Sequence, residues 1–231
     1  MNFFSENLSN PCTLNEEQSR HCIKVLRAKV NQPIRVLNGK GTAAEGKISE
    51  IRKNEVIVAI DELQTPYKEN PNKLSIAICI PKNPARLEWF LEKATEIGVS
   101  DIYPIISKRT EKNTIKKERL EQIIIAAGKQ SGQYYFPALH PIQQLNTFLE
   151  YPFTCQKLIA HCEDHKQHLK EVYQRNSEAI LLIGPEGDFT REEIALAIQS
   201  NYSPVSLGVS ILRVETAGVV ACTIVNALNY E

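Results

Sequence analysis

Two uninterrupted apolar runs, Leu74 to Ile80 (LSIAICI) and Ala179 to Ile183 (AILLI), constrain this chain more than any other feature. A strand with one wet face alternates apolar and polar residues; a strand that is apolar throughout is covered on both faces, as in a parallel sheet. Further strand-like segments, Ile102 to Ile106, Lys157 to Ala160 and Val205 to Leu207, fall between stretches with helical signals. Asn83-Pro84 supplies a cap and a first-turn proline for the helix ARLEWFLEKATEIG, which Gly98 closes, and Trp89 and Phe90 inside it are expected in the core. Lys116 to about Gln130 reads as helix, Thr190-Arg191-Glu192-Glu193 as a capping box, and a last helix starts at Thr216. Strands alternating with helices predict right-handed crossovers and a parallel α/β sheet of about five strands. Such sheets bind ligands beyond their carboxyl ends, here the loops after Ile80, Ile106, Ala160, Ile183 and Leu207.

The amino-terminal third reads differently. Thr13-Leu14-Asn15-Glu16 has the form of a capping box opening a helix through about Val25. Strand-like runs follow at Ile34 to Leu37, Ala44 to Ile51 and Glu55 to Ile60, separated by Asn38-Gly39-Lys40-Gly41 and Arg52-Lys53-Asn54, a pattern for a small antiparallel sheet or barrel. The polar, proline-containing segment Thr65 to Lys73 (TPYKENPNK) marks a boundary, giving domains at 1–70 and 74–231. A length of 231 residues accommodates two such domains without metal or disulfide staples.

Charge is balanced, with 27 basic and 27 acidic side chains, so a polyanionic partner must be met by a local patch. The segment Lys108 to Arg119 (KRTEKNTIKKER) holds six basic residues against two acidic ones. With Arg20, Lys24 and Arg27 near the amino end, Lys108, Arg109, Lys112, Lys116 and Lys117 are the candidate contacts for the phosphates of a polyanion; the competing reading is a solvated surface. His21 is expected to pack or cap, and Tyr134-Tyr135-Phe136 to pack in a core or interface more than to stack bases. Six scattered cysteines without a CxxC pair or zinc spacing point to free thiols, no metal and a reducing compartment. The first residues have no secretory pattern, and the longest apolar stretch, Ala217 to Leu228, is too short and too interrupted to span a bilayer, so a cytoplasmic location is expected.

Two loops draw attention as chemistry. Gly184-Pro185-Glu186-Gly187-Asp188-Phe189 joins a buried strand to a capped helix, and its glycines allow close backbone approach to a ligand. It is neither a GxGxxG fingerprint nor a Walker loop, which disfavours ordinary dinucleotide or nucleoside triphosphate binding. The second, Leu207 to Ala217 (LGVSILRVETA), puts Arg213 and Glu215 at the start of the last helix.

ILLIGPEGDF followed by SLGVSILRVETAG resembles the carboxyl-terminal signature of SPOUT-type methyltransferases, specifically the RsmE family, which methylates N3 of a uridine in 16S rRNA. Lys82, Arg86 and Glu88, the segment Glu92 to Arg109, Ala126 to Gly132 with Pro137, and at the amino end His21, Val25-Leu26-Arg27 and Asn38 to Gly41 extend the likeness over nearly the whole chain. Three positions depart from it: Asp188 stands where the family has a second glycine, and Lys129 and Gln133 where members often have glutamate and arginine.

The resemblance implies a PUA-like β-barrel that binds RNA, followed by a SPOUT-type parallel sheet domain with a trefoil knot, and a homodimer that pairs the knots. It implies S-adenosylmethionine as cofactor, held by His161, Ile183, Gly184, Pro185, Glu186, Gly187, Leu207, Gly208, Ser210, Ile211, Leu212, Arg213, Glu215 and Thr216. Arg213 is the candidate cation for the uracil anion; Glu186 is the candidate proton acceptor, or else fixes its loop through backbone amides. The substrate would be 16S rRNA, within the small ribosomal subunit. Two other readings share these features: a SPOUT enzyme acting on a ribose or a tRNA base, and an RNA-binding module without activity.

Overall fold

The computed structural model describes residues 1–163 and 167–230. The chain forms two compact units: Met1–Pro71 together with Ile125–Phe136, and Asn72–Ile124 together with the chain from Pro137 onward. The segment 125–136 thus leaves the sequence neighbours on either side of it and joins the amino-terminal unit.

That unit holds β1 (Asn2–Phe4), β2 (Cys12–Thr13), α1 (Glu16–Arg20), which continues as a π turn over His21–Val25, β3 (Pro33–Leu37), β4 (Ala43–Arg52) and β5 (Glu55–Gln64). Its five-stranded sheet has the order β1-β3-β4-β5-β2, antiparallel except for the parallel pair β1 and β3. The helix begins later than its expected capping box, because Thr13 is held in β2 opposite Ile57 and the cap is Asn15, whose side chain accepts from the Gln18 amide at 2.9 Å. His21 is exposed rather than packed. Inward residues of the strands, among them Ile34, Val36, Ile48, Val56 and Val58, close on Phe3, Leu14 and Cys22. Phe136 stacks on Phe4 at 5.6 Å between ring centroids, and the Arg35 guanidinium lies 4.7 Å from the centre of the Tyr134 ring.

The second unit carries the buried sheet. Its elements are β6 (Leu74–Cys79), α2 (Pro84–Ile97), β7 (Asp101–Ile106), α3 (Lys117–Ser131), through which the chain passes to the other unit, β8 (Ala138–Leu139), β9 (Gln143–Gln144), α4 (Leu145–Leu149), β10 (Gln156–Ala160), β11 (Gln167–His168), α5 (Leu169–Val172), β12 (Ala179–Ile183), α6 (Arg191–Gln199), β13 (Ser203–Ser206) and α7 (Val214–Tyr230). The eight strands run in the order β11-β13-β10-β12-β6-β7-β8, with β9 also on β7, and every pairing is parallel. Five longer strands form the body; the other three have two residues each. All five residues of β12 are buried, as an apolar run requires.

Parallel pairing puts the carboxyl ends of these strands on one edge, with Ala160, Ile183 and Ile78 in register across β10, β12 and β6. Asn83 and Thr190 cap α2 and α6, the latter with a reciprocal box to Glu193. Helix α7 starts at Val214, with the Ala217 amide donating to the Arg213 carbonyl at 2.8 Å, so Thr216 sits inside the first turn and is not its cap. Phe90 is buried against Gly218 of α7, whereas Trp89, one helical step away on α2, is 43% exposed and is not in the core. None of the six cysteines is in a disulfide, no three His, Cys, Asp or Glu among the described residues converge for a metal, and no described helix is long and apolar enough to cross a membrane.

Candidate active site

A cavity of about 290 Å³ opens at the carboxyl edge of the second unit's sheet, where the loops after β10, β12 and β13 meet. Its wall includes His161 and Cys162, then Ile183, Gly184, Pro185, Glu186 and Asp188, then Leu207 through Leu212. The sequence therefore separates by many residues what the sheet brings into one cradle. Val205, Leu212, Val214 and Ala217 add apolar wall.

Each loop has a local reason for its shape. The Asp188 amide donates to the Pro185 carbonyl at 2.9 Å, closing a tight turn, and Asp188 has φ +60°, a left-handed conformation that aspartate tolerates better than most residues. Its carboxylate accepts from the Cys162 amide at 2.7 Å and from the Phe189 amide at 2.8 Å, tying the β12 loop to the β10 loop. The residue that replaces a glycine thus supplies a cross-loop tie. Gly208 has φ +143°, and a Cβ built there would meet nothing within 4 Å. Gly187 does not line the cradle; it faces Arg109, which donates to its carbonyl.

Arg213, Glu215 and Thr216 are likewise absent from the wall of the cradle and line a smaller neighbouring cavity with Ala85, Arg86 and Trp89. Glu215 is only 7% exposed and faces Arg86, whose guanidinium lies 3.6 Å from both Glu215 and Glu186. Arg213 is exposed and forms no ion pair among the described residues. Glu186 also accepts from the Lys82 amide at 3.1 Å. Arg86 and Lys82 are thus site residues that the loop-centred reading left aside; their signal was position on the loop and helix after β6.

The basic candidates fall into two sets. In the first unit Arg20, Lys24 and Arg27 are exposed, with Arg20 paired to Glu16 at 2.7 Å. In the second, Lys108, Arg109, Lys116 and Lys117 are exposed and Lys112 is half-buried, all on or beside the β7–α3 loop. The Lys108 amide donates to Glu193 at 2.7 Å, and Lys117 pairs with Glu121 at 3.5 Å.

Among the described residues the cradle wall has two carboxylates, Glu186 and Asp188, and neither lysine nor arginine. A bound cation of moderate size fits such a wall, since opposite charge at short range outside bulk water is favourable. S-adenosylmethionine, a sulfonium with flat adenine and apolar reach, meets that requirement.

Comparison with known proteins agrees on both units. Residues 14–61 match the RNA methyltransferase PUA domain and residues 68–226 the RNA methyltransferase domain. Ribosomal RNA small subunit methyltransferase E of Rickettsia conorii is 32% identical over 216 residues, spanning 90% of this chain and 86% of its own. The chain belongs to the ribosomal RNA small subunit methyltransferase E family. Among solved structures of similar fold, a probable rRNA-methyltransferase from Porphyromonas gingivalis has a TM-score of 0.92 at 32% identity, covering 99% of this chain and 98% of its own. A ribosomal RNA small subunit methyltransferase E from Neisseria gonorrhoeae bound to S-adenosyl methionine has a TM-score of 0.88 at 30% identity, covering 98% of this chain and 97% of its own.

Proposed function

We propose that the protein transfers the methyl group of S-adenosylmethionine to N3 of a uridine in 16S rRNA of the small ribosomal subunit. Family membership supplies the reaction class, and the observation that carries it to this chain is the cradle built from three strand-end loops. When bound, S-adenosylmethionine supplies a methyl carbon activated by its sulfonium. The residues proposed to hold it are His161, Ile183, Gly184, Pro185, Glu186, Leu207, Gly208, Ser210, Ile211 and Leu212, with backbone groups serving the adenine.

Methyl transfer is an in-line displacement, so the protein's main work is to align the nucleophile and exclude water. Uracil N3 is protonated at neutral pH, and its lone pair becomes available when the proton leaves and charge spreads to O2 and O4. Arg213, exposed at the start of α7, is the cation proposed to face those oxygens, a contribution of ~10² to 10³ in rate for a single well-placed donor. Glu186 is already engaged by the Lys82 amide and Arg86, which favours a role in fixing the loop over one in accepting the proton. Glu215 holds Arg86 from the other side. Lys108, Arg109, Lys112, Lys116 and Lys117, and in the PUA-like unit Arg20, Lys24 and Arg27, are the proposed phosphate contacts. The protein is proposed to act as a homodimer in the cytoplasm.

Mass mapping of nucleosides in 16S rRNA from a deletion strain tests the reading. N3-methyluridine should vanish and return with the wild-type chain; an unchanged level rejects it.

A further inference from the structure

The loops after β6 and β7 build a second cavity in the same unit, of about 280 Å³, that methyl transfer itself does not use. Its floor is apolar, made by Ile80, Leu87, Ile115 and Leu120, and its rim is charged, with Lys112, Lys116 and Arg119 against the single carboxylate of Glu88. Arg119 binds Glu88 through two parallel hydrogen bonds, Nε to Oε1 at 2.6 Å and Nη2 to Oε2 at 2.8 Å, which hold the guanidinium as a fixed plate. That contact lowers the Glu88 carboxyl from its ordinary range. Lys112 and Lys116 form no ion pair among the described residues.

This groove is anchored to the methyl-donor cradle. The amide of Lys82, two residues beyond Ile80, donates to Glu186; the amide of Lys108 donates to Glu193; and Arg109 donates to the Gly187 carbonyl. The loops that frame the groove are therefore fixed relative to the turn that frames the cradle.

An apolar slot edged by a guanidinium plate and free ammonium groups matches one ligand chemistry in particular: an unstacked nucleobase, with its phosphate on the ammonium groups. We propose that the groove holds a nucleobase of the rRNA that neighbours the methylated uridine, pulling the strand out of its stack so that the target base is presented to the cradle. The proposal rests on the rRNA methyltransferase reading and adds a specific subsite to it.

Thr114→Trp and Ile115→Trp fill the groove without changing charge. They are to be assayed as full-length protein on small ribosomal subunits that lack the methyl mark, with S-adenosylmethionine affinity measured by calorimetry. KM for the subunit should rise roughly tenfold, the loss expected when one stacked base is displaced, with cofactor affinity held within about twofold. The slope of log KM against log salt should stay that of the wild type, whereas Lys116→Glu should lower it by about one. If Ile115→Trp does not fold, Thr114→Trp decides, because Thr114 is exposed. An unchanged KM in Thr114→Trp overturns the groove and leaves the rRNA reading standing; a wild-type protein that places no methyl group on subunit RNA overturns that reading and the groove together.

Discussion

Gly208 and Gly187 are both glycines of the signature loops, yet they stand in opposite relations to the cradle. Gly208 lines the cavity and combines φ +143° with open space around a built Cβ, so a side chain there would sit at the cavity wall on a strained backbone. Gly208→Val should weaken S-adenosylmethionine binding more than tenfold by calorimetry, a loss of ~1.4 kcal/mol or more. Gly187→Ala, whose Cβ would be 3.4 Å from Arg109 Cδ, should change it by less than about threefold. The opposite ranking would place the cofactor elsewhere. Arg213→Ala separates chemistry from binding: kcat should fall by ~10² to 10³ while cofactor affinity stays within about threefold. Equal loss of both would return Arg213 to the pocket wall.

At the scale of elements, the contact of α2 with α7 depends on one absent side chain. A Cβ on Gly218 would lie 2.4 Å from Phe90 Cε2, so the helices approach as closely as they do only because that position is bare. Gly218→Val should destabilise the unit by ~1 to 3 kcal/mol in urea unfolding, the usual cost of overpacking, and Phe90→Leu in the same chain should recover part of it. The start of β7 holds a pH-sensitive element. Asp101 is partly buried, which by itself raises its carboxyl pKa, but hydrogen bonds from His140 at 2.8 Å and Ser100 at 2.7 Å outweigh burial and leave it below 3.8. A carboxyl depressed on folding stabilises above its unfolded pKa, and that contribution disappears as pH falls through the folded value. Acid unfolding followed by circular dichroism should therefore show a shallower loss below about pH 4 for Asp101→Asn than for the wild type. Identical acid limbs would mean that the ion pair contributes nothing.

For the whole molecule the question is how a chain of zero formal charge holds a polyanion. The basic segment between β7 and α3 is the proposed local answer. Reversing Lys116 and Lys117 together should weaken subunit RNA binding and reduce the salt slope by about two, one per lost phosphate contact. An unchanged slope would make this strip plain solvated surface.

Much of this was legible before any coordinates. Continuous apolar runs at Leu74 and Ala179 require cover on both faces, which forces a parallel sheet, and in a parallel sheet the strand-end loops share an edge. Asn83 and Thr190 announce their helices because capping is chemistry within four residues. Strands β1, β2, β8, β9 and β11, of two or three residues, gave no signal, since alternation needs length. The tertiary structure alone decided which residues of a signature touch the cavity. It kept Gly187 off the cradle wall and against Arg109, put Arg213, Glu215 and Thr216 in the adjoining pocket, left Trp89 43% exposed, and brought Lys82 and Arg86, from the loop and helix after β6, to Glu186. Local rules act over one turn of chain, whereas the facing of a side chain at a site depends on register and packing between segments a hundred residues apart.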